Sequence, residues 1–380
     1  MRTRTVVKLG TILSVVLFGI AVGFYAFTQL DRTTHNRHVN LFTLVPSHCI
    51  SVLETDDAYG FLTEILMQNY GHELKQVNVV RQFDFILQGL NEYASRNAHG
   101  LSSQMNRMLI SFHDSLSTIH DRVVYIGLGS ADKRLLEDIL HDCAPSGFIP
   151  KEEKYRGKQL LVYPLGGDVY LTSYLDEDFM VLSLQKRLIE QVVDAKLDKQ
   201  SLNDDDAFGE ILQKKKSKHN LTLYVRTSEL PFLNTDESCW SEYDFHLNSD
   251  VFYLTGETYM SDTTEVTWKN IGPNNTFYEA ENIFMTTEKD TMAYYIDRMY
   301  ENDTINHSLF TQCMANLSKD ASFTFVADMQ KMNAESYGII NCFPSVVGQH
   351  FSLLESFILS MQYFYVGNKL SHIWVFTYKN

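Results

Sequence analysis

The residues with the most obvious chemical potential are three His-Asp dipeptides, His113-Asp114, His120-Asp121 and His141-Asp142. An imidazole beside a carboxylate is raw material for a metal site or a general-base pair, but either use needs partners that converge. His113 and His120 are seven residues apart, which puts them on one helical face if residues 104–119 are helical. The adjacent Asp then points elsewhere. The spacing is not His-Glu-x-x-His, so solvated surface residues are the reading adopted. No Gly-x-Ser-x-Gly elbow occurs, and nothing in the sequence selects the members of a Ser-His-Asp set from distant positions.

Other motifs weaken in the same way. Gly127-Leu128-Gly129-Ser130 lies between an apolar run and a helix-like stretch, a partial echo of a dinucleotide-binding turn. Asp132 stands where the third glycine belongs, and a carboxylate there would repel a phosphate. Lys214-Lys215-Lys216 with Lys218 closes a predicted helix, where lysines complement the helix dipole. Tyr294, Tyr295 and Tyr300, or Tyr363, Phe364 and Tyr365, could stack on sugars, but their spacing suits a core. Cys49, Cys143, Cys239, Cys313 and Cys342 include no Cys-x-x-Cys pair, so buried thiols with one bridge at most are expected. No catalytic residue, cofactor-binding residue, cofactor or metal ligand is assigned.

What must position these groups begins with a membrane segment. Between Lys8 and Asp31 there is no charged residue, and Leu9, Leu13, Leu17, Ile20, Phe24 and Phe27 mark a run long enough to cross a bilayer, spanning residues 9–30. Arg2, Arg4 and Lys8 precede it, so the N-terminus stays cytoplasmic and the rest is exported. A cleaved signal peptide ending at Ala21-Val22-Gly23 is the alternative, and it too exports the chain. The formal net charge is −15, and without those three basic residues the remainder carries −18, which argues against nucleic acid and against lying on an anionic bilayer and favours neutral, cationic or metal-screened partners.

Residues 31–40 form a polar spacer. The pattern then predicts a strand over 49–53, a helix over 58–70 with Thr55, Asp56 and Asp57 as N-cap candidates, and helices around 83–87 and 104–119. Strands are expected at 122–127, 158–163, 169–174 and 179–184, a helix at 186–197, and another after Asp204-Asp205-Asp206. From 221 the outline repeats: strands at 221–225, 240–247, 251–258, 266–268, 283–285 and 321–327, a helix at 291–300, a helix at 352–361, and strands at 362–366 and 373–378. The fold class is therefore α+β, antiparallel β-meanders with packed helices after an N-terminal transmembrane helix, with a loose internal duplication whose units are 41–220 and 221–380.

Several segments carry a family resemblance. They are Val45-Pro46-x-x-Cys49-x-Ser51-Val52-Leu53, Lys154-Tyr155-Arg156-Gly157-Lys158 leading into Leu160-Leu161-Val162-Tyr163, and Phe179-Met180-Val181-Leu182-Ser183 before a helix. Asp204-Asp205-Asp206-Ala207-Phe208 and Trp240-Ser241-Glu242-Tyr243-Asp244 complete the set. Over roughly residues 41–285 the chain resembles the bacterial envelope family known as domain of unknown function 3352, whose members often carry one N-terminal membrane segment. The resemblance implies a tethered envelope protein and no activity. The function expected is a non-catalytic scaffold or binding protein on the bacterial inner membrane, its body in the periplasm, with the bilayer and an envelope protein or polymer as partners. An exported hydrolase acting on envelope polymers is the alternative.

Overall fold

The computed structural model describes residues 39–76, 107–113, 121–129, 150–166, 169–214, 221–235, 239–260, 266–269, 276–332, 339, 342–343, 354–366 and 369–379. The expected anchor residues Leu9, Leu13, Leu17, Ile20, Phe24 and Phe27 lie outside the described residues, as do 83–87, Asp114, His120, His141, Asp142 and Lys215–Lys218.

The strands are β1 (Ser51–Thr55), β2 (Met108–Phe112), β3 (Arg122–Gly127), β4 (Lys151–Tyr155), β5 (Lys158–Gly166), β6 (Val169–Leu175), β7 (Phe179–Ser183), β8 (Leu221–Arg226), β9 (Leu233–Asn234), β10 (Trp240–Leu247), β11 (Val251–Tyr259), β12 (Thr267–Trp268), β13 (Phe277–Ala280), β14 (Ile283–Thr286), β15 (Phe323–Asp328), β16 (Phe357–Val366) and β17 (Lys369–Tyr378). The helices are α1 (Ala58–Met67), α2 (Gly71–Gln76), α3 (Lys186–Asp198), α4 (Asp206–Lys214), α5 (Lys289–Glu301) and α6 (Leu309–Ala315). A mostly antiparallel sheet with a few packed helices is thus the architecture, α+β in class.

Among the described residues fifteen strands form one sheet in the order β13-β14-β15-β16-β17-β11-β10-β8-β1-β2-β3-β7-β6-β5-β4, and β9 and β12 pair separately. The sheet has two arms meeting at the antiparallel pair β1 and β8, whose central residues are Leu53 and Leu223. Outward from β1 the order is β2, β3, β7, β6, β5, β4; outward from β8 it is β10, β11, β17, β16, β15, β14, β13. In each arm three strands meander away from the junction. The later strands then return, so that the last of them pairs with the third.

Local chemistry explains most elements. Asp57 caps α1 by accepting the Gly60 amide. Leu188, Ile189, Val192 and Val193 recur at helical spacing on α3 and are buried, and the helix stops at Lys199 in the left-handed conformation. The two-residue β4–β5 turn has Arg156 and Gly157 both at positive φ, 46° and 81°, as a type I′ turn requires. Arg156 then reaches Asp194 at 2.8 Å and Asp198 at 2.6 Å, fastening this edge hairpin to α3.

Each arm has two packed faces. In the first, Val52, Leu109, Tyr125, Leu160, Tyr174 and Val181 pack beneath α3 and α4, while Met108, Ile126, Tyr163 and Met180 meet α1 on the other side. In the second, Phe284, Val326 and Ile358 pack beneath α5 and α6. Its opposite face, including Tyr243, Phe323, Phe325, Phe357 and Tyr363, lies under Leu230, Phe232, Leu233, Met329 and Phe343.

Two expectations need correction, and one strand is unexpected. The expected helix at 104–119 contains β2 instead, because Met108 and Leu109 are both buried, on opposite faces of a two-sided sheet. The expected helix at 352–361 gives way to β16: Phe357, Leu359, Met361 and Tyr363 fill one face and Ile358, Ser360 and Gln362 the other. An unpredicted strand, β4, is the charged edge Lys-Glu-Glu-Lys-Tyr, whose charges discourage further pairing.

Candidate functional site

The His-Asp residues that sequence singled out are best followed at the end of β2. Ser111 and His113 stand two residues apart at the end of this strand, and their Oγ and Nε2 atoms are 2.7 Å apart. That is the contact between a serine nucleophile and its base. The Ser111 hydroxyl is also 3.0 Å from the Tyr125 hydroxyl on β3. The His113 amide donates to the Asp121 carbonyl at 3.0 Å, so the structure does bring His113 and Asp121 together, across β2 and β3 rather than along a helix. The ring of His48 lies 5.5 Å from that of His113 and contacts Gln191 of α3 at 3.3 Å.

Two features decide what this arrangement can do. Ser111 has no exposed surface and Tyr125 beside it has none either, so no substrate carbonyl reaches the hydroxyl. Among the described residues no carboxylate completes a triad: His113 Nδ1 is buried without a partner among them, while the Asp121 carboxylate accepts from Gln185 Nε2 at 2.9 Å. Burial holds the His113 imidazole at a pKa of about 4, aided by His48 and opposed by Asp121, so it is neutral at pH 7. Cys49 is fully buried and its thiol is pushed up to about 12 by desolvation, which makes it inert as a nucleophile. The contact has the spacing of catalysis and the burial of a core hydrogen bond.

A second polar network, invisible in the sequence, crosses the other arm. The Thr227 and Ser241 hydroxyls are 2.7 Å apart, Ser241 bonds to the Thr258 hydroxyl, and Thr258 Oγ1 lies 2.9 Å from His372 Nε2. All four residues are buried. Desolvation alone brings the His372 imidazole down to about 3. A buried donor or acceptor without a partner costs ~1–3 kcal/mol, and His372 Nδ1 and the Tyr243 hydroxyl are two such atoms.

The part of the sheet open to a partner is different again. Between α4, whose Phe208 packs on Tyr224 and on Trp240 at the start of β10, and α6, whose Cys313 meets Thr377, no described helix covers the rest of β10, β11 and the near part of β17. The half-buried side chains there include Asp244, His246, Tyr253, Thr255, Glu257, Ile373 and Val375, with Ile373 39% exposed. They are ordered by cross-strand contacts: Thr222 donates to Asp244 at 2.8 Å, His246 stacks on Tyr253 at 4.6 Å and touches Thr255 at 3.0 Å, and Lys369 pairs with Glu257 at 3.1 Å. Glu242 and Glu257 stand directly opposite one another. Like charges so placed oppose strand pairing, and Lys369 relieves one of them.

The remaining sequence-flagged groups scatter. Tyr363 is fully buried and donates to the Pro231 carbonyl, whereas Tyr294 and Tyr300 are 58% and 59% exposed on α5 and Tyr295 bonds to Glu279. Cys49, Cys239, Cys313 and Cys342 are free thiols, as expected of most of them. Gly127 ends β3, and the Leu128 amide after it donates to the Asp178 carbonyl. Among the described residues no three His, Cys, Asp or Glu side chains converge on a metal position, and no helix is long and apolar enough to cross a membrane. No family model matches the chain, and neither a curated protein nor a solved structure is significantly similar to it.

Proposed function

We propose that this chain is a membrane-tethered envelope protein, related to the domain of unknown function 3352 family, whose α+β body binds a protein partner in the periplasm and performs no reaction. The tether reading rests on the uncharged run between Lys8 and Asp31 and its basic flank. The observation that carries the non-catalytic reading is the burial of Ser111: its hydroxyl touches a histidine at 2.7 Å and is closed to any substrate. The half-open strip on β10, β11 and β17 supplies the binding surface. Its carboxylates, on a body of charge −18, favour a neutral or basic segment of the partner. We further propose that the two arms descend from one duplicated unit, since their strands run in one order outward from Leu53 and Leu223.

The test is photo-crosslinking in intact cells from an aryl-ketone amino acid placed at Ile373, with Tyr294 on α5 as a control position. A protein adduct reproducibly captured from 373 and not from 294 supports the reading. Capture of a glycan polymer instead, or turnover of envelope polymers by the purified chain that Ser111→Ala abolishes, would establish the hydrolase alternative. A mature N-terminus at Phe24 would reduce the tether to an export signal.

A further inference from the structure

Counting outward along paired residues from Leu53, the first arm presents Ile110, Val124 and Leu182. The same count from Leu223 meets Tyr243, Gly256 and His372. Strand order is shared, so this place in the sheet does not require polar residues, and the first arm fills it with aliphatic side chains packed with Ala58 and Leu62 of α1. The second arm builds it from groups that need hydrogen bonds.

Tyr243 and His372 are 0% and 1% exposed, their rings are 5.0 Å apart, and among the described residues neither the Tyr243 hydroxyl nor His372 Nδ1 has a partner. Trp374 lies 4.8 Å from Tyr243, and its indole N–H comes near the Tyr363 hydroxyl without an aligned hydrogen bond. Gly256 makes the arrangement possible: a Cβ there would stand 2.7 Å from the Tyr243 ring and 2.3 Å from the Glu242 carbonyl oxygen. Tyr243 therefore lies over β11 toward β17. The hydroxyl chain Thr227, Ser241, Thr258 ends on His372 Nε2, which fixes the ring and leaves Nδ1 on its far side unused.

We propose that Tyr243, His372 and Trp374, gathered over Gly256, form an enclosed site for a small uncharged molecule that both donates and accepts hydrogen bonds. Buried polar groups are ordinarily matched by protein or by bound solvent; here the Tyr243 hydroxyl and His372 Nδ1 stand unmatched on one rung, with the Trp374 indole on the same face of β17 two residues along. None of the lining residues carries a charge, because burial keeps the imidazole neutral and holds the Tyr243 and Tyr363 hydroxyls well above the ordinary phenol range. A trapped water and a small alcohol or amide share this chemistry. The inference does not depend on the partner-binding reading above.

The test is a crystal structure of the full chain at a resolution that shows ordered solvent, joined to nitrogen-15 shifts of labelled histidine. Density within hydrogen-bond distance of both His372 Nδ1 and the Tyr243 hydroxyl, with an Nδ1 shift in the hydrogen-bonded range, is expected. Mass spectrometry of what the denatured protein releases separates the sources: an organic guest appears in the extract, and water leaves it blank while the density remains. The double variant Tyr243→Ile with His372→Leu, which recreates the first arm's rung, should lose the density. Folded wild-type protein with no density there and an unbonded Nδ1 shift overturns the proposal, whether or not the variant folds.

Discussion

The two arms share a strand order and differ in what lies over the α1-facing side of the sheet. Over the first arm α1 supplies Ala58 and Leu62, and a helix satisfies its own backbone, so the rung beneath it is aliphatic. Over the second arm the cover is shorter and less regular: the chain from Leu230 into β9, together with Met329 and Phe343. Irregular chain brings backbone polar groups with it, and the side chains around it answer them: Tyr363 donates to the Pro231 carbonyl at 2.9 Å and Lys269 Nζ to the Leu230 carbonyl at 3.2 Å. The shared strand order therefore does not fix the character of this face: the two arms carry different covers and different rungs beneath them.

Exchanging one rung residue between the arms should have the largest effect. Gly256→Val, which places the first arm's Val124 side chain in the second arm, should destabilise by roughly 3 kcal/mol or more, since its Cβ collides with a backbone carbonyl and an aromatic ring. Denaturant unfolding measures this. A loss below ~1 kcal/mol would mean that Tyr243 swings aside freely and that the rung is not packed as described.

Acid should reach both arms through their buried imidazoles. Unfolded histidine titrates near pH 6.5, whereas His113 and His372 are held at about 4 and about 3. Below pH 6.5 the unfolded chain takes up protons that the folded chain refuses. The stability contributed by neutral histidine is complete above that pH and drains away as pH falls through 6.5 towards 4, by ~1.4 kcal/mol per unit for each histidine. Urea midpoints at pH 7, 5.5 and 4.5 check this. In His372→Leu the slope should be shallower, and an unchanged slope would show that His372 is protonated in the folded state.

Ser111→Ala probes the contrast from the first arm's side, where it leaves the Tyr125 hydroxyl without its partner. A loss of ~1–3 kcal/mol is expected in unfolding experiments, matched by Ser241→Ala in the second arm. Any enzymatic activity lost with Ser111→Ala would contradict the sealed geometry. The smallest effect belongs to Arg156→Ala at the exposed edge, which should raise amide exchange in β4 and β5 while global stability holds.

Much of this fold is legible where both local rules and burial agree. The β10–β11 hairpin has its Asn248-Ser249-Asp250 turn between strand-forming runs, and α3 has a clear apolar stripe. Other elements are silent for physical reasons. In β16, Phe-Ile-Leu-Ser-Met-Gln-Tyr-Phe-Tyr-Val is apolar or tolerated on both faces, so neither period stands out, and β4 is an edge with nothing to alternate against. The site follows the same logic. Ser111-x-His113 is the spacing that puts two side chains on one face of a strand, and reading the segment as helix separated them. His372 and Tyr243 are brought together only by pairing across Gly256, which no local pattern announces.

The pairing of β1 with β8 also orders events in time. Ser51–Thr55 pairs on one side with β2, which begins at Met108, but its other edge waits for Leu221–Arg226, made 170 positions later. A chain emerging N-terminus first therefore exposes an unfinished, β-branched strand edge until well over half of it has appeared. Such long-range closure slows folding and leaves that edge open to mispairing until β8 is made.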